Sequence, residues 1–402
     1  MSHQQQHQQQ QQSTAVRVFS SFDEMPLNQL LLRGVYAHGF EKPSPIQSQA
    51  IVPTIQGGDI IAQAQSGTGK TGAFSIAVLQ RLDLRRAAAG NCQALILEPT
   101  RELAQQTYDE VRAIGDYLAD GSASFCQMFV GGTRVGEDVK RLQAGVTVAV
   151  GTPGRVADLI RRGALRTSAL RTLVLDEADE MLSQGFSDQV HDVFKYLPKD
   201  IQVALFSATM PPDVLNLSAK FMRDPTRILV NKESLTLDGI KQFYVAVEEE
   251  AKLATVMDLY ESISIAQSVI FVSSRAKVEW VAQELNANHH TVSWMHADMG
   301  RGEREKVMAT FRSGSSRVLV TTDLVARGID VQHVNIVINF DLPSSKEVYL
   351  HRIGRSGRYG RKGVAINLVS SRAVGALREI EDHYKREIEE LPMDFATFLG
   401  EE

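Results

Sequence analysis

The chain carries short, continuous apolar runs that are separated by longer segments with helical periodicity. In the first half these runs lie at 59–62, 94–98, 125–130, 146–150, 172–175 and 203–206. Apolar runs without polar alternation are typical of strands that are covered on both faces, and the helical segments between them supply the crossovers that parallel strands need. The pattern predicts a mostly parallel sheet flanked by helices.

The same pattern starts again after a polar stretch that ends at Gly239. Further apolar runs lie at 243–247, 268–272, 291–295, 317–321, 335–339 and 364–369. A length of 402 residues fits two domains better than one. We therefore expect an α/β protein with domains over 21–230 and 241–402, joined by a short linker over 231–240. The glutamine-rich segment within 1–20 is too polar to bury a core, so we expect a disordered tail there.

Charge and cysteine content narrow the functional classes. Acidic residues outnumber basic ones, 48 to 43, for a formal charge of −5. A nucleic-acid partner must therefore be met by local basic patches, because the field of the whole molecule does not favour it. Cys92 and Cys126 are too few for a disulfide framework, and we expect buried thiols in a reducing compartment. The sequence has no apolar signal-peptide core and no long uncharged apolar segment, which indicates neither export nor membrane spanning.

The segment AQSGTGKT, 64–71, matches the phosphate-binding pattern G-x-x-x-x-G-K-[ST] once Ala64 stands at the first glycine position. An apolar run precedes it, and a helix is predicted over 69–82. Small residues let successive backbone N–H groups converge on phosphate oxygens at a helix N-terminus. Lys70 would reach the outer phosphates, and Thr71 would ligate Mg²⁺. The alternative is a glycine-rich turn that binds nothing, which the order of strand, loop and helix disfavours.

Four carboxylates follow the apolar run at 172–175 within five residues: Asp176, Glu177, Asp179 and Glu180. Their mutual repulsion calls for a positive charge nearby. In phosphate-loop proteins, an acid that follows a strand near the nucleotide holds the Mg²⁺ of MgATP. Asp176 is the candidate ligand, and Glu177 is the candidate base for the attacking water. The alternative is a carboxylate cluster that caps the next helix, and the neighbouring phosphate loop favours the functional interpretation.

A series of motifs recurs in order along nearly the whole chain. They are GFEKPSPIQ (39–47), AQSGTGKT (64–71), PTRELA (99–104), GG (131–132), TPGR (152–155), DEAD (176–179), SAT (207–209), VIFVSSR (269–275), TTDLVARGID (321–330) and HRIGRSGR (351–358). With these motifs the chain resembles the DEAD-box RNA helicases, and within them the translation initiation factor 4A group, over roughly Phe22 to Leu399. The resemblance implies two RecA-like domains and an ATP-dependent RNA helicase that hydrolyses ATP with Mg²⁺.

The resemblance also implies the remaining nucleotide contacts. Gln47 would read the adenine edge through its amide, Phe40 would stack on the base, and Asp330 would contact the ribose. Arg355 and Arg358 match arginine fingers for the γ-phosphate, so an intact site would exist only when the two domains close on each other. For these arginines the alternative is a solvated basic loop. The phosphate loop would contribute Ala64, Gln65, Ser66, Gly67, Thr68, Gly69, Lys70 and Thr71.

A further set resembles the family elements that couple nucleotide state to RNA binding. Ser207 and Thr209 would form hydrogen bonds to the acidic motif through Asp179, or would cap a helix that starts near Pro211. His351 would support the acidic motif across the cleft. Both roles can hold together for the serine and the threonine.

The resemblance places RNA contacts in both domains. Arg101, Gly132, Thr152 and Arg155 match positions of the first domain, and Arg275, Arg304 and Thr322 match positions of the second. Such groups suit contacts to phosphate and sugar, which position a strand without reading its bases. Individually, each is also consistent with a surface arginine or a capping threonine. Some positions depart from the usual pattern, namely Ser273 and Ser274 for an asparagine–threonine pair, Ala297 for glycine and Arg301 for glutamine. These departures bear on RNA affinity in the second domain or on a partner contact.

Two functions fit these motifs. The first is an ATP-dependent RNA helicase that unwinds or remodels short duplexes in translation initiation, and the alternative is an ATP-locked RNA clamp of an exon-junction-type assembly. An RNA-independent phosphate-loop ATPase does not account for PTRELA, TPGR and HRIGRSGR together. The expected partners are RNA, bound with little sequence specificity, and an initiation-factor 4G-like scaffold. We expect a monomer without membrane contacts, in the cytoplasm or alternatively in the nucleus.

Overall fold

The computed structural model describes residues 17–65, 67–87, 91–119, 121–122, 124–182, 187–229, 240–262, 265, 267–323, 334–356 and 363–392. The chain divides into two compact units, Met1–Val230 and Asn231–Glu402. Positions 1–16 of the predicted tail and positions 231–239 of the predicted linker lie outside the described residues. Each unit has its own sheet and its own apolar clusters.

The first unit is built on a seven-stranded parallel sheet with the spatial order β3-β4-β2-β5-β6-β1-β7. Its strands are β1 (Ile60–Gln63), β2 (Ala94–Leu97), β3 (Cys126–Phe129), β4 (Val148–Gly151), β5 (Thr172–Leu175), β6 (Gln202–Ser207) and β7 (Thr226–Leu229). Because all strands are parallel, their carboxyl ends lie at one edge of the sheet, which is where open α/β sheets bind ligands.

Helices cover both faces of this sheet. They are α1 (Gln29–Ala37), α2 (Pro45–Gln56), α3 (Lys70–Gln80), α4 (Leu84–Ala87), α5 (Arg101–Ala119), α6 (Val135–Gln143), α7 (Pro153–Arg161), α8 (Ala178–Met181), α9 (Ser187–Phe194) and α10 (Pro212–Ser218). Successive strand residues alternate between two apolar clusters: Ile96 packs in one and Leu95 in the other. This burial on both faces explains the continuous apolar runs of the sequence.

The second unit repeats the design with a seven-stranded parallel sheet of spatial order β10-β11-β9-β12-β13-β8-β14. Its strands are β8 (Ile240–Ala246), β9 (Gln267–Phe271), β10 (Val292–Met295), β11 (Val318–Thr321), β12 (Val334–Asn339), β13 (Gly363–Val369) and β14 (Glu389–Glu390). Its helices are α11 (Lys252–Ser262), α12 (Arg275–Ala287), α13 (Arg301–Arg312), α14 (Lys346–Ile353) and α15 (Val374–Tyr384). The predicted α/β class with parallel sheets is confirmed for both units.

Two details differ from the sequence predictions. Phe19, assigned to the disordered tail, is buried, and its N–H donates to the Ser48 carbonyl at 3.1 Å, so packing of the first unit begins before position 21. Strands β7 and β14 are absent from the predicted set.

Both cysteines are buried free thiols, as expected, and burial raises the pKa of Cys92 to about 12. Among the described helices, none is both long and apolar enough to cross a membrane.

Candidate active site and RNA interface

The phosphate loop connects β1 to α3 at the carboxyl edge of the first sheet. Gly67 and Gly69 have φ values of +81° and +94°, a region that residues with a Cβ rarely adopt. Ala64 lies outside that region, which explains why a methyl group is tolerated at the first position of the motif. The Lys70 side chain is buried, and its Nζ donates to the Ala64 carbonyl oxygen at 3.0 Å. The ammonium group therefore lies across the loop, while Thr71 follows in the first turn of α3.

The predicted acidic site follows β5, which β6 separates from β1 in the sheet. Asp176 is buried, and its Oδ1 accepts a hydrogen bond from the Glu177 N–H at 2.9 Å. Glu177 has φ 45° and ψ 53°, a left-handed conformation that costs of order 1–3 kcal/mol outside glycine and clusters at functional sites. The backbone that follows β5 is thus held in a conformation that Glu177 does not favour on its own.

Electrostatics at this strand end favour a bound cation. Burial, and then repulsion from Glu177, raise the pKa of Asp176 to about 7, while Lys70 acts in the opposite direction. A divalent cation would offset both the burial and the repulsion, and carboxylate and hydroxyl oxygens are the ligands that Mg²⁺ prefers. Asp176 and Thr71 therefore fit the metal that the sequence predicts.

A further carboxyl group, Glu98, directly follows β2 and was not among the predicted site residues. It is fully buried; its Oε1 accepts from the Thr107 hydroxyl at 2.5 Å, and its Oε2 has no hydrogen-bond partner among the described residues. Burial, and then repulsion from Asp176, raise the pKa of Glu98 well above its ordinary value. The available signal was an acid that ends an apolar run beside β5, since the carboxyl ends of neighbouring parallel strands meet.

The predicted coupling residues of the first unit come together at the end of β6. The Thr209 hydroxyl donates to the Asp179 carboxylate, and the Ser207 hydroxyl accepts from the backbone N–H groups of Thr209 at 3.3 Å and Asp179 at 3.5 Å. The N-cap of α10 is Pro211, so neither hydroxyl caps that helix. His351, the predicted coupling residue of the second unit, lies on α14, is buried and accepts from Arg355 Nε at 3.0 Å through its carbonyl oxygen.

The two predicted adenine residues lie beside the first turn of α3. A Cβ placed on Gly72 would lie 2.8 Å from the Phe40 ring and 2.7 Å from Nε2 of Gln47. Gln47 closes a capping box at the start of α2: its Oε1 accepts from the Ser44 N–H at 2.9 Å, and its Nε2 donates to the Gly69 carbonyl at 3.2 Å. An amide has two donor hydrogens and two acceptor lone pairs, so one of each remains for a base edge.

The predicted RNA residues of the first unit follow β2, β3 and β4, three neighbouring strands of the same sheet edge. A Cβ on Gly132, where φ is +81°, would lie 2.9 Å from Nη1 of Arg101, so this guanidinium lies against the glycine turn. The Thr152 N–H donates to the Phe129 carbonyl at 3.1 Å, which ties the end of β4 to the end of β3. The Arg155 side chain is only 8% exposed and donates to Thr133 and Asp138.

In the second unit the predicted residues lie at several strand and helix ends. Arg275 begins α12 and pairs with Asp298, Arg304 lies in α13, and Thr322 follows β11. Arg355 follows α14 and donates from Nε to a backbone carbonyl of that helix. Ser66, Asp330 and Arg358 lie outside the described residues.

Arg352 of HRIGRSGR has a structural role that the motif did not predict. This residue is 1% exposed, and its Nε and Nη2 donate to the two Asp323 carboxylate oxygens at 2.5 and 2.9 Å. Its Nη1 donates to the Asn339 amide oxygen at 3.0 Å. Arg352 therefore joins α14 to the TTD motif and to the end of β12. The spacing of the motifs could not predict this role, because the groups that accept from Arg352 lie far from it in the sequence.

Comparison with known proteins places the chain among helicases. A model described as "DEAD/DEAH box helicase" matches residues 44–217, and one described as "Helicase conserved C-terminal domain" matches residues 251–360. The "Probable eukaryotic initiation factor 4A" of Trypanosoma brucei brucei is 70% identical over 96% of this chain and 95% of that protein. The "ATP-dependent RNA helicase eIF4A" of Aspergillus clavatus is 58% identical over 95% and 94%.

A solved structure is similar along most of the chain as well. The structure of S. cerevisiae Dbp5 bound to RNA and ADP BeF3 has a TM-score of 0.85 and 38% identity, with coverage of 92% of this chain and 95% of that one. The similarity therefore extends over both units and not over the phosphate-loop unit alone.

Proposed function

We propose that this chain, which belongs to the DEAD-box family of ATP-dependent RNA helicases, is an RNA-stimulated ATPase that unwinds or remodels short RNA duplexes during translation initiation. One observation carries the proposal: the phosphate loop, the acidic strand end and the predicted RNA residues of the first unit all lie at one edge of one parallel sheet. Thr209 donates to Asp179 and so joins the end of β6, the neighbour of the phosphate-loop strand, to the end of β5, the neighbour of the strand that precedes Arg101. A change at the nucleotide can thereby reach the strand ends that hold RNA.

The chemistry follows from the residues at this edge. Asp176 and Thr71 would hold Mg²⁺, which would supply positive charge to offset the charge of the phosphate oxygens. Lys70 gives up the Ala64 carbonyl and donates to the outer phosphates. Glu177 orients a water molecule and accepts its proton as the bond from water oxygen to the γ-phosphorus forms and the bond to the ADP oxygen breaks. The left-handed backbone at Glu177 supports this assignment, because strain of this kind in a residue other than glycine clusters at functional sites.

The second unit contributes cations to the same reaction. Arg355 and Arg358 stabilise the charge that develops on the γ-phosphate, an effect that is worth about 10³ to 10⁵ in rate where arginine fingers act. The pairing of Arg352 with Asp323 supports this role, because it fixes α14, which precedes both fingers, to the loop after β11. Asp330 contacts the ribose, and His351 supports the acidic motif.

RNA is bound through its backbone by groups at the strand ends, among them Arg101, Gly132 and Thr152 of the first unit, so affinity depends little on sequence. The relatives named initiation factor 4A support a role in translation initiation. For that role we propose the cytoplasm as the compartment and an initiation-factor 4G-like scaffold as the partner.

A strand-displacement assay tests the proposal. A short RNA duplex with a labelled strand is incubated with the protein, MgATP and a trap strand, in parallel with a non-hydrolysable ATP analogue and with no nucleotide. Release of the labelled strand in repeated turnovers with ATP is the expected result. A stable ATP–RNA complex that neither turns over nor releases the strand would instead identify an RNA clamp, and absence of RNA binding would refute both.

A further inference from the structure

A completely buried carboxylate lies beneath the turn that carries Gly132. Asp138 belongs to the first turn of α6 and has an exposed fraction of 0%. Its Oδ1 pairs with Arg141, and its Oδ2 pairs with Arg155 and accepts from the Thr133 hydroxyl at 3.2 Å. A buried charge is tolerated only when it is paired and hydrogen-bonded, so these partners hold the carboxylate in one place.

Arg155, which pairs with Asp138, donates its guanidinium hydrogen bonds to groups of the protein itself. Nη1 of Arg155 donates to the Thr133 hydroxyl at 2.6 Å and to the Asp138 carboxylate, and Nη2 donates to the Thr133 carbonyl at 2.9 Å. With a side chain that is 8% exposed, both terminal nitrogens face the turn and not solvent. The sequence suggested a direct RNA contact for this residue, and the geometry favours a different role.

The turn itself is fixed from both sides. The Thr133 hydroxyl donates to the Val130 carbonyl at 3.0 Å, which closes the backbone around the glycine pair. Above it, the Arg101 guanidinium lies against Gly132, which is exposed. Asp138 and Arg155 thus support the inner side of a turn whose outer side carries an exposed glycine and an arginine.

We propose that Asp138 and Arg155 are positioning residues: their buried ion pair presets the turn 131–134 for the RNA backbone, and Arg155 does not itself contact a phosphate. This rests on the proposed RNA-binding function. Preorganisation of this kind raises affinity because the free protein has already lost the freedom that binding would otherwise remove. The bound strand would be held by Arg101 and the backbone of the turn.

Salt dependence separates positioning from direct phosphate binding. Each phosphate that a cation neutralises on a single strand contributes about −0.7 to the slope of log affinity against log salt concentration. If Arg155 bound a phosphate directly, Arg155→Gln would make the slope about 0.7 less steep, as we expect for Arg101→Gln, the comparison variant. A positioning role predicts that Arg155→Gln lowers RNA affinity about tenfold at every salt concentration and leaves the slope unchanged.

The two roles predict opposite changes in RNA affinity for the variant Asp138→Asn. If Arg155 binds phosphate and Asp138 only neutralises it, removal of the acid frees the cation and RNA binds more tightly. If the pair presets the turn, RNA affinity falls about tenfold and the RNA concentration for half-maximal ATPase stimulation rises by the same factor. ATP affinity and the turnover rate at saturating RNA stay within about twofold, because neither residue contacts the nucleotide site.

Loss of a buried ion-pair partner can also unfold a domain. Thr133→Val therefore serves as the milder variant, since it retains the charges and removes only a hydroxyl, which accepts from Arg155 and has one hydrogen to share between the Val130 carbonyl and the Asp138 carboxylate. We expect a fewfold weaker RNA affinity with an unchanged salt slope and a thermal midpoint close to that of the unchanged protein. Tighter RNA binding by Asp138→Asn, or a flatter slope for Arg155→Gln, would overturn the proposal. Failure of the unchanged protein to bind RNA would instead refute the proposed function.

Discussion

Gly72→Ala tests the adenine site through a single methyl group. The added Cβ would lie 2.7 Å from Gln47 Nε2 and 2.8 Å from the Phe40 ring, closer than real Cβ contacts come, so one of these side chains must move. Movement of Gln47 breaks its bonds to Ser44 and Gly69, and each such hydrogen bond contributes about 1 kcal/mol. In the opposite direction, Ala is favoured over Gly in a helix, by up to about 1 kcal/mol in the interior and by less in the first turn, where Gly72 lies.

These opposing contributions predict that Gly72→Ala folds with nearly unchanged stability but binds the adenine base more weakly. The free energy of unfolding should change by less than about 1 kcal/mol, because the helix gain offsets much of the hydrogen-bond loss. ATP affinity should fall by about 5- to 100-fold, since a misplaced amide and ring leave the adenine edge without partners, at about 1–3 kcal/mol. The preference for ATP over GTP should shrink by a similar factor.

Titration calorimetry with ATP and GTP, together with thermal unfolding, measures all three quantities. Gly375→Ala is the matched control: it lies in α15, a Cβ there meets nothing within 4 Å, and only the helix gain is expected. ATP affinity of Gly72→Ala within twofold of the unchanged protein would refute the assignment of Phe40 and Gln47 to the base site.

Three further changes probe the catalytic edge. Glu177→Gln should retain ATP and RNA binding while turnover falls by about 10² to 10⁴, and near-normal turnover would exclude Glu177 as the base. Thr209→Val removes the hydroxyl that donates to Asp179, so RNA stimulation of turnover should fall about fivefold with ATP affinity unchanged, and equal stimulation would refute the coupling role. Without Mg²⁺, unfolding midpoints should fall as pH rises from about 4 to 7, because Asp176 and Glu98 have raised pKa values and keep protons in the folded state that the unfolded chain releases. Glu98→Gln should make that fall shallower, and an identical pH profile would contradict the burial effect.

The sequence predicted those elements whose own residues explain why they form. Continuous apolar runs marked every strand that is buried on both faces, and the phosphate loop was recognisable because glycines supply its left-handed turns. Strand β7 alternates between exposed and buried positions, and β14 is only two exposed glutamates. Both form because a neighbouring strand, β1 for β7 and β8 for β14, offers backbone hydrogen bonds, a cause that lies elsewhere in the chain.

The same limit applies to the candidate site. Asp176 and Glu177 were predictable because the carboxyl ends of parallel strands meet, and that argument also covers Glu98. Arg155 and Arg352 differ, because a motif gives the residue type and not its acceptors. Each donates to groups of the protein that folding brings close, and such acceptors favour a structural role for an arginine over a ligand contact. Only the three-dimensional contacts separate those roles.

The central claim is that ATP hydrolysis and RNA binding are coupled at one edge of the first sheet. Steady-state ATP hydrolysis with and without single-stranded RNA tests it most directly, with Glu177→Gln as the background. We expect RNA to raise turnover on the order of tenfold or more, which corresponds to a decrease of about 1.4 kcal/mol in the activation free energy. Turnover that is equal with and without saturating RNA would contradict the account.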